Sequence, residues 1–317
     1  MSASSVANKR PAVISRAAGR RYRAAGPGST PASIPARAAK GLLLLIACAV
    51  VVMPFIAVVS TSLADDRQVS QAGGLVLWPE RPSFDAYRAI FAGGVVSRAL
   101  LVSVGITVVG TLLSLACTTL LAYALSRPGS FGSKPLLMMV LFTLLFTPGM
   151  IPSYLMVKEL HLLNSYWALI VPALINGFNV VVMRSFFLDL PQELLDAARI
   201  DGAGEWQMLR RVVMPLSKAV IAVVGLFYAV AYWNNYFSAL LYISDATKWP
   251  VQLVLRTYVV DGSTIGVDSS QITGVIPPPQ QSLQMAILVV SLLPIVVLYP
   301  FLQRHFAKGI LIGAVKG

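Results

Sequence analysis

The sequence predicts an all-α membrane protein: six transmembrane helices with a helix–bend–helix loop on the cytoplasmic side. Three observations carry this. Hydrophobic residues make up 56% of the 317-residue chain and charged residues 12%, with a mean hydropathy of +0.74. A soluble domain would carry charge on about 25% of its residues. Six apolar runs come close to the roughly 20 residues that cross about 30 Å of hydrocarbon. They are Gly41–Ser62, Ala99–Ser126, Pro135–Val157, Tyr166–Met183, Ala219–Ile243 and Ser282–Gln303. Finally, eighteen of the 25 Lys and Arg fall in the N-terminal tail, the second and fourth connections and the C-terminal tail. That bias places those segments, and both termini, in the cytoplasm.

Taken in order, residues 1–40 carry eight basic and no acidic residues amid Ala, Ser, Gly and Pro. They read as a disordered cytoplasmic tail, and residues 41–317 as the membrane domain. The basic stretch is too long, and the first apolar run of full spanning length, for a cleaved signal peptide. The net charge of +12 is therefore a topology signal, and nucleic-acid binding is excluded for want of a folded basic module with interleaved aromatics. Cys48 and Cys117 lie inside spans and form neither a disulfide nor a metal motif. His161 and His305 are too far apart to hold a metal. The segment Gly129–Lys134, "GSFGSK", lacks the spacing of a phosphate-binding loop and reads as a turn between spans two and three.

No Asp, Glu, Lys, Arg or His falls in the core of any of the six spans. Ion-driven carriers need such groups, so a neutral interior suits an uncharged or hydroxyl-rich substrate. It would also suit a purely structural bundle.

The exception to this apolar pattern is "PQELLDAARIDGAGEWQMLRRVVMP", Pro191–Pro215. Pro191 and Glu193 suit a helix start, and Gly202 suits a left-handed stop. Gly204 loosens the join before a second short helix runs to Pro215. The residues alone leave two readings open: an amphipathic helix lying on lipid, or a docking element for a cytoplasmic partner.

The same residues resemble the EAA loop of the permease subunits of ATP-binding-cassette importers. Asp196, Ala197 and Ala198 fill the triplet, Gly202 follows after three residues, and Val212 with Met214-Pro215 closes the pattern. Asp, Val and Met replace that pattern's Glu, Ile and Leu. "PQELLDAARIDGAGEWQ" and the ending "YPFLQRHFAKGILIGAVKG" are similar to the carbohydrate, maltose-type branch, and to its shorter six-span permease. The likeness runs from the first span to Gly317.

The resemblance implies that residues 187–217 form a coupling loop seated in a cleft of an ATPase subunit. Asp196 would face a basic residue there, Ala197 and Ala198 would allow close approach, and Gly202 would form the bend, with Val212 and Pro215 ending the motif. It also implies that Lys308, Gly309, Gly313 and Gly317 reach between the ATPase subunits as an extended tail. The partners implied are a second permease, two ATPase subunits that bind ATP and Mg, and an extracytoplasmic sugar-binding protein. The chain itself is then no enzyme and holds no cofactor, and it sits in a bacterial plasma membrane.

A substrate path is read from "FYAVAYWNNYFSALLYI" in span five. Tyr228, Tyr232, Asn235 and Tyr236 fall near one helical face. Rings that stack on sugars, with amide and phenol groups for hydroxyls, make up a sugar site; helix packing and an interfacial aromatic belt are the plainer alternatives. The outer loop Ser244–Gln281, with "IPPPQQ" at Ile276–Gln281, and the connection Leu63–Gly94 read as surfaces for the binding protein or as caps on the bundle. Two other classes remain: a six-span secondary carrier, and a structural membrane protein whose island lies on lipid.

Overall fold

The computed structural model describes residues 34–92, 94–259 and 280–313. Among them every regular element is helical. The chain divides into two units, residues 1–52 and 53–317. The described part of the first is the apolar start of α1 (Ile34–Ser62), whose residues from Ala38 to Val52 are all exposed. Helix thus begins before residue 40, where a disordered tail was expected. Ala36, Ala38 and Ala39 are strong helix formers, and Pro35 is tolerated in a first turn.

In the second unit α4 (Val95–Ser126) is the central rod, 32 residues or about 48 Å long. Beside it pack α8 (Gly177–Leu188) and α12 (Lys218–Trp233). The core between them holds Ile106, Met183, Phe187, Val224 and Tyr228. A second core joins α3 (Asp85–Ala92), the start of α4, α14 (Val251–Val259) and α15 (Gln280–Gly313) around Ile90, Val96, Trp233 and Ile287. The Trp233 indole donates to the carbonyl of Ser291 at 3.1 Å.

The expected connections on the outer side are built rather than loose. Thr61 Oγ1 accepts from the Val76 amide at 2.9 Å, and the Gln68 side chain bonds Trp78 and Glu80 backbone groups around the short α2 (Asp66–Gln71). Asp245 starts a 3-10 turn by accepting from Thr247, and α14 is pinned to α4 by the Val251 amide donating to Ser103 Oγ at 2.8 Å. Residues 260–279, with most of the Pro-rich spacer, lie outside the described residues.

The six even spans are corrected in part. By length and composition three described helices can cross a membrane alone: α1, α4 and the Gln280–Val297 part of α15. The others break. The third run is interrupted at Phe146–Gly149, between α5 (Ser133–Leu145) and α6 (Met150–Glu159), where Pro148 cannot continue the helix. The fourth bends by 47° between α7 (Trp167–Ile170), with its 3-10 extension to Ala173, and α8. The fifth stops at Asn234, because the Asn235 side chain accepts from the Ser238 amide and so caps a new helix, α13 (Tyr236–Tyr242).

Candidate functional site

The polar island folds as two helices set by one glycine. Helix α9 (Gln192–Ile200) ends in a left-handed Gly202 with φ of +79°. The Ala203 amide donates to the Ala198 carbonyl and the Gly202 amide to that of Arg199, both at 3.0 Å. This is the Schellman closure, in which the residue after the cap must turn left. A methyl on Gly202 would meet no atom within 4 Å, so the demand is conformational rather than steric.

After Gly204 the chain re-enters helix at α10 (Glu205–Met208), widens into a π turn at Leu209–Val213 and ends in α11 (Met214–Leu216). The widened turn accommodates Pro215, whose ring would otherwise clash with the preceding turn. This segment meets α12 at 84°, with Ser217 at the corner.

One face of the island is anchored: Leu195, Met208, Leu209 and Val213 are all buried in the main core. The other is offered. Asp196, Ala197, Gly202 and Pro215 are exposed, Ala198 and Val212 half-buried, and Asp196 pairs with Arg199 at 3.2 Å. Around them Ile200 and Trp206 stand 86% and 65% exposed, giving a polar loop an unpartnered apolar rim.

Two tethers without any local sequence signal brace this region, one tying the loop to α4 and one tying α8 to α4 beside it. Tyr123, near the end of α4, donates its hydroxyl to the Glu205 carboxylate at 2.5 Å, and the Arg127 guanidinium lies 4.3 Å over its ring. Arg184 of α8 donates to the Leu125 carbonyl at 3.0 Å, a cation at the negative end of α4. Their partners are 82 and 59 residues away, beyond any local pattern.

The span-five residues come together only in part. Tyr228, Tyr232 and Asn235 line one cleft of about 580 Å³, shared with Asn176, Phe178, Asn179 and Phe227. Tyr236 is not among its lining; its ring lies under the Arg256 guanidinium at 5.2 Å. The two tyrosine hydroxyls expected on the substrate path are engaged within the bundle. Both side chains are buried and both hydroxyls are taken. Tyr228 Oη lies 2.7 Å from Thr118 Oγ1 and accepts from the Asn176 amide at 3.0 Å. Tyr232 Oη donates to the Ile170 carbonyl and lies 2.8 Å from Ser114 Oγ. These bonds seam α4 and α12 and reach the break in span four. Gly110 makes room for the Tyr232 ring, since a methyl there would sit 2.8 Å from it.

At the C-terminus the extended tail is corrected too. Lys308, Gly309 and Gly313 continue α15 as helix, since an apolar, Ala-containing sequence tolerates an interior glycine at about 1 kcal/mol. Gly317 lies outside the described residues.

Residues 114–312 match the family described as binding-protein-dependent transport system inner membrane component. The chain is 46% identical over 277 residues to the polygalacturonan/rhamnogalacturonan transport system permease protein YtcP of Bacillus subtilis, covering 87% of this chain and 96% of that one. It is 44% identical to protein LplC of the same organism, over 85% and 90% of the two chains. A crystal structure of a bacterial ABC transporter involved in the import of the acidic polysaccharide alginate has a chain that superposes with a TM-score of 0.81 at 29% identity, covering 88% of this chain and all of that one. By these matches the chain belongs to the family of binding-protein-dependent transport system inner membrane components.

Proposed function

We propose that this chain, the permease subunit of an ATP-binding-cassette sugar importer, works as one half of a pair whose 187–217 loop turns ATP-driven motion into opening and closing of the bundle. The single observation that carries this reading is the two-faced island. Its core side is locked by Leu195, Met208, Leu209 and Val213, while its outer side presents Asp196, Ile200 and Trp206 around a glycine-fixed bend. A lipid-lying helix needs an apolar face but no such bend and no rigid tie to the bundle. A docking element needs both, because it must present a fixed shape and transmit load.

In this reading the chain crosses the membrane six times, the third, fourth and fifth crossings being the broken ones. Both termini and the loop are cytoplasmic, in keeping with the bias of Lys and Arg. A second permease completes the path, two separate ATPase subunits bind ATP and Mg, and an extracytoplasmic binding protein delivers the sugar. Asp196, now paired with Arg199 in the open, exchanges that exposed and weak contact for a basic residue of the ATPase. The substrate is an oligosaccharide, as the names of the similar proteins suggest.

Two helix lengths support a cleft at mid-membrane depth. Tyr228 stands ten residues above the start of α12 and the N-terminus of α8 eleven above its end, about 15 Å in each case. Half of a roughly 30 Å hydrocarbon layer is the depth at which transporters hold their substrates.

The test is affinity purification of the tagged chain from gently solubilised native membranes, with identification of what comes with it. A second permease and an ATPase are expected, with the ATPase lost from Gly202→Val and Asp196→Lys variants. A chain that purifies alone and drives sugar uptake from an ion gradient overturns the reading.

A further inference from the structure

Arg127, the residue that closes α4, is the one charged side chain among the described residues with buried polar atoms that find no acceptor. Its Nε and Nη2 are shut off from solvent and make no hydrogen bond; the other such atoms are the hydroxyls of Thr107, Thr111, Ser217 and Ser282. An enclosed guanidinium without a counter-charge is far costlier than an unbonded hydroxyl. The Tyr123 ring, 4.3 Å beneath it, compensates only part of that charge. Two of the last α4 carbonyls already accept, that of Tyr123 from the Ser126 hydroxyl and that of Leu125 from Arg184. The unbonded atoms are also a matched pair. Nε and Nη2 form one edge of the guanidinium, the fork that meets a carboxylate with two parallel bonds.

A carboxylate stands at the edge of the same ring. Glu205 Oε2 accepts from the Tyr123 hydroxyl, while Arg127 covers the ring's face. Two opposite charges thus share one aromatic side chain, yet no ion pair joins them. Glu205 is exposed, and one phenol bond leaves most of its acceptor sites free. It opens α10 just past the Gly202 bend and so belongs to the loop, whereas Arg127 belongs to the bundle.

We propose that Arg127 and Glu205 are the two halves of a charge latch between bundle and loop, held open here by the Tyr123 ring and closed at another stage of the transport cycle. The inference rests on the importer reading, in which the loop moves against the bundle, and adds Arg127 to it as a positioning residue. Closing needs a small shift of the loop and a turn of two long side chains. The carboxylate leaves the phenol and meets the Nε–Nη2 edge. The open arrangement satisfies the phenol and leaves the guanidinium unbonded; the closed one does the reverse. Each state is therefore bought at the other's expense, which is what a two-state element requires.

The experiment uses the complete importer in proteoliposomes, with its second permease, ATPase subunits and binding protein. Cys48 and Cys117 are replaced by Ser, and Arg127→Cys and Glu205→Cys are introduced together. A short bifunctional thiol reagent then joins the pair, either without nucleotide or after trapping with Mg, ATP and vanadate. The cross-linked fraction should differ about threefold or more between the two conditions. An equal fraction overturns the latch and leaves the coupling reading standing. Charge exchange is the second measurement, should the cysteine pair not assemble. Arg127→Glu and Glu205→Arg should each raise the ATP hydrolysed per sugar imported about tenfold, and the double variant should recover most of that loss. Unchanged single variants, or a double variant no better than the worse single, overturn the pairing. Tyr123→Phe cuts the tether but keeps both charges, and should leave the ratio within about twofold of wild type. A rise as large as that of the charge variants assigns the effect to the tether and overturns the latch. A wild-type importer that takes up no sugar with ATP overturns both this inference and the function beneath it.

Discussion

Two polar regions of this chain are held by opposite means. The 187–217 loop takes its shape from backbone geometry: a left-handed glycine, a Schellman closure and a π turn, with most polar side chains exposed. The seam between α4 and α12 takes its shape from side chains: Tyr228 and Tyr232, each satisfied by a hydroxyl on the neighbouring helix and by a backbone group at the break in span four. The loop keeps most of its polar groups exposed, Glu205 excepted, which is bonded by Tyr123 of the bundle. The seam spends its hydroxyls on joining α4 to α12 and to the break in span four. Polarity in an apolar sequence therefore stays at the surface in one place and joins helices in the other.

The comparison breaks most readily at Gly110. A Gly110→Val side chain would collide with the Tyr232 ring, and overpacking of this kind costs about 1–3 kcal/mol. The loss of the Tyr232 bonds adds to it. Thermal unfolding of the purified protein, followed by tryptophan fluorescence, should show a large drop in midpoint; an unchanged midpoint would mean that the seam does not hold the bundle.

Gly202→Val is the counterpart. The left-handed penalty is about 1–2 kcal/mol, but it falls on an exposed bend that can rearrange locally. The expected outcome is a midpoint close to wild type with sugar-stimulated ATP hydrolysis of the complex abolished. Equal loss of stability and coupling would erase the distinction between the two regions.

A smaller effect comes from Tyr228→Phe, which deletes one hydroxyl and strands Thr118 Oγ1 and the Asn176 amide. We expect a loss of about 1–3 kcal/mol in stability and no change in the preference between two transported sugars. A changed preference would return Tyr228 to the substrate path.

The smallest effect is expected from Asp245, whose carboxyl is held below its ordinary range by the hydroxyl and amide of Thr247. A depressed folded value means that its contribution is present above the unfolded pKa of about 3.9 and is lost as pH falls through the folded value. Thr247→Val should therefore flatten the acid side of the melting-point profile slightly, and a profile identical to wild type would show that the turn carries no linkage.

The helical membrane fold was legible because hydropathy and charge bias are summed over long windows. The loop was legible because its signals are local: an acidic first turn, a glycine at the stop, and a proline at the end. The broken spans were less so. Pro148-Gly149 and Asn234-Asn235 announce their breaks, yet each sits in a run apolar enough to read as continuous. The tethers from Tyr123 and Arg184 were not legible at all, because hydrogen bonds across 82 and 59 residues leave no periodic trace. The tyrosine face was half right. Helical spacing correctly brought Tyr228 and Tyr232 together, but spacing cannot tell whether a hydroxyl looks into a cleft or at another helix.

The 84° corner at Ser217 has a mechanical consequence. It makes the segment Glu205–Leu216 and α12 the two arms of a bell crank. In the proposed topology the short arm lies along the membrane surface and the long arm stands through the bilayer. For a rigid α12, each 10° of tilt about the corner sweeps the cleft wall at Tyr228, about 15 Å up the long arm, sideways by about 2.6 Å. That is nearly the diameter of a water molecule, and the next full turn of helix moves further still. In the proposed reading a modest rocking of the loop is thus carried, nearly one for one, into a displacement at the cleft large enough to open or close a passage.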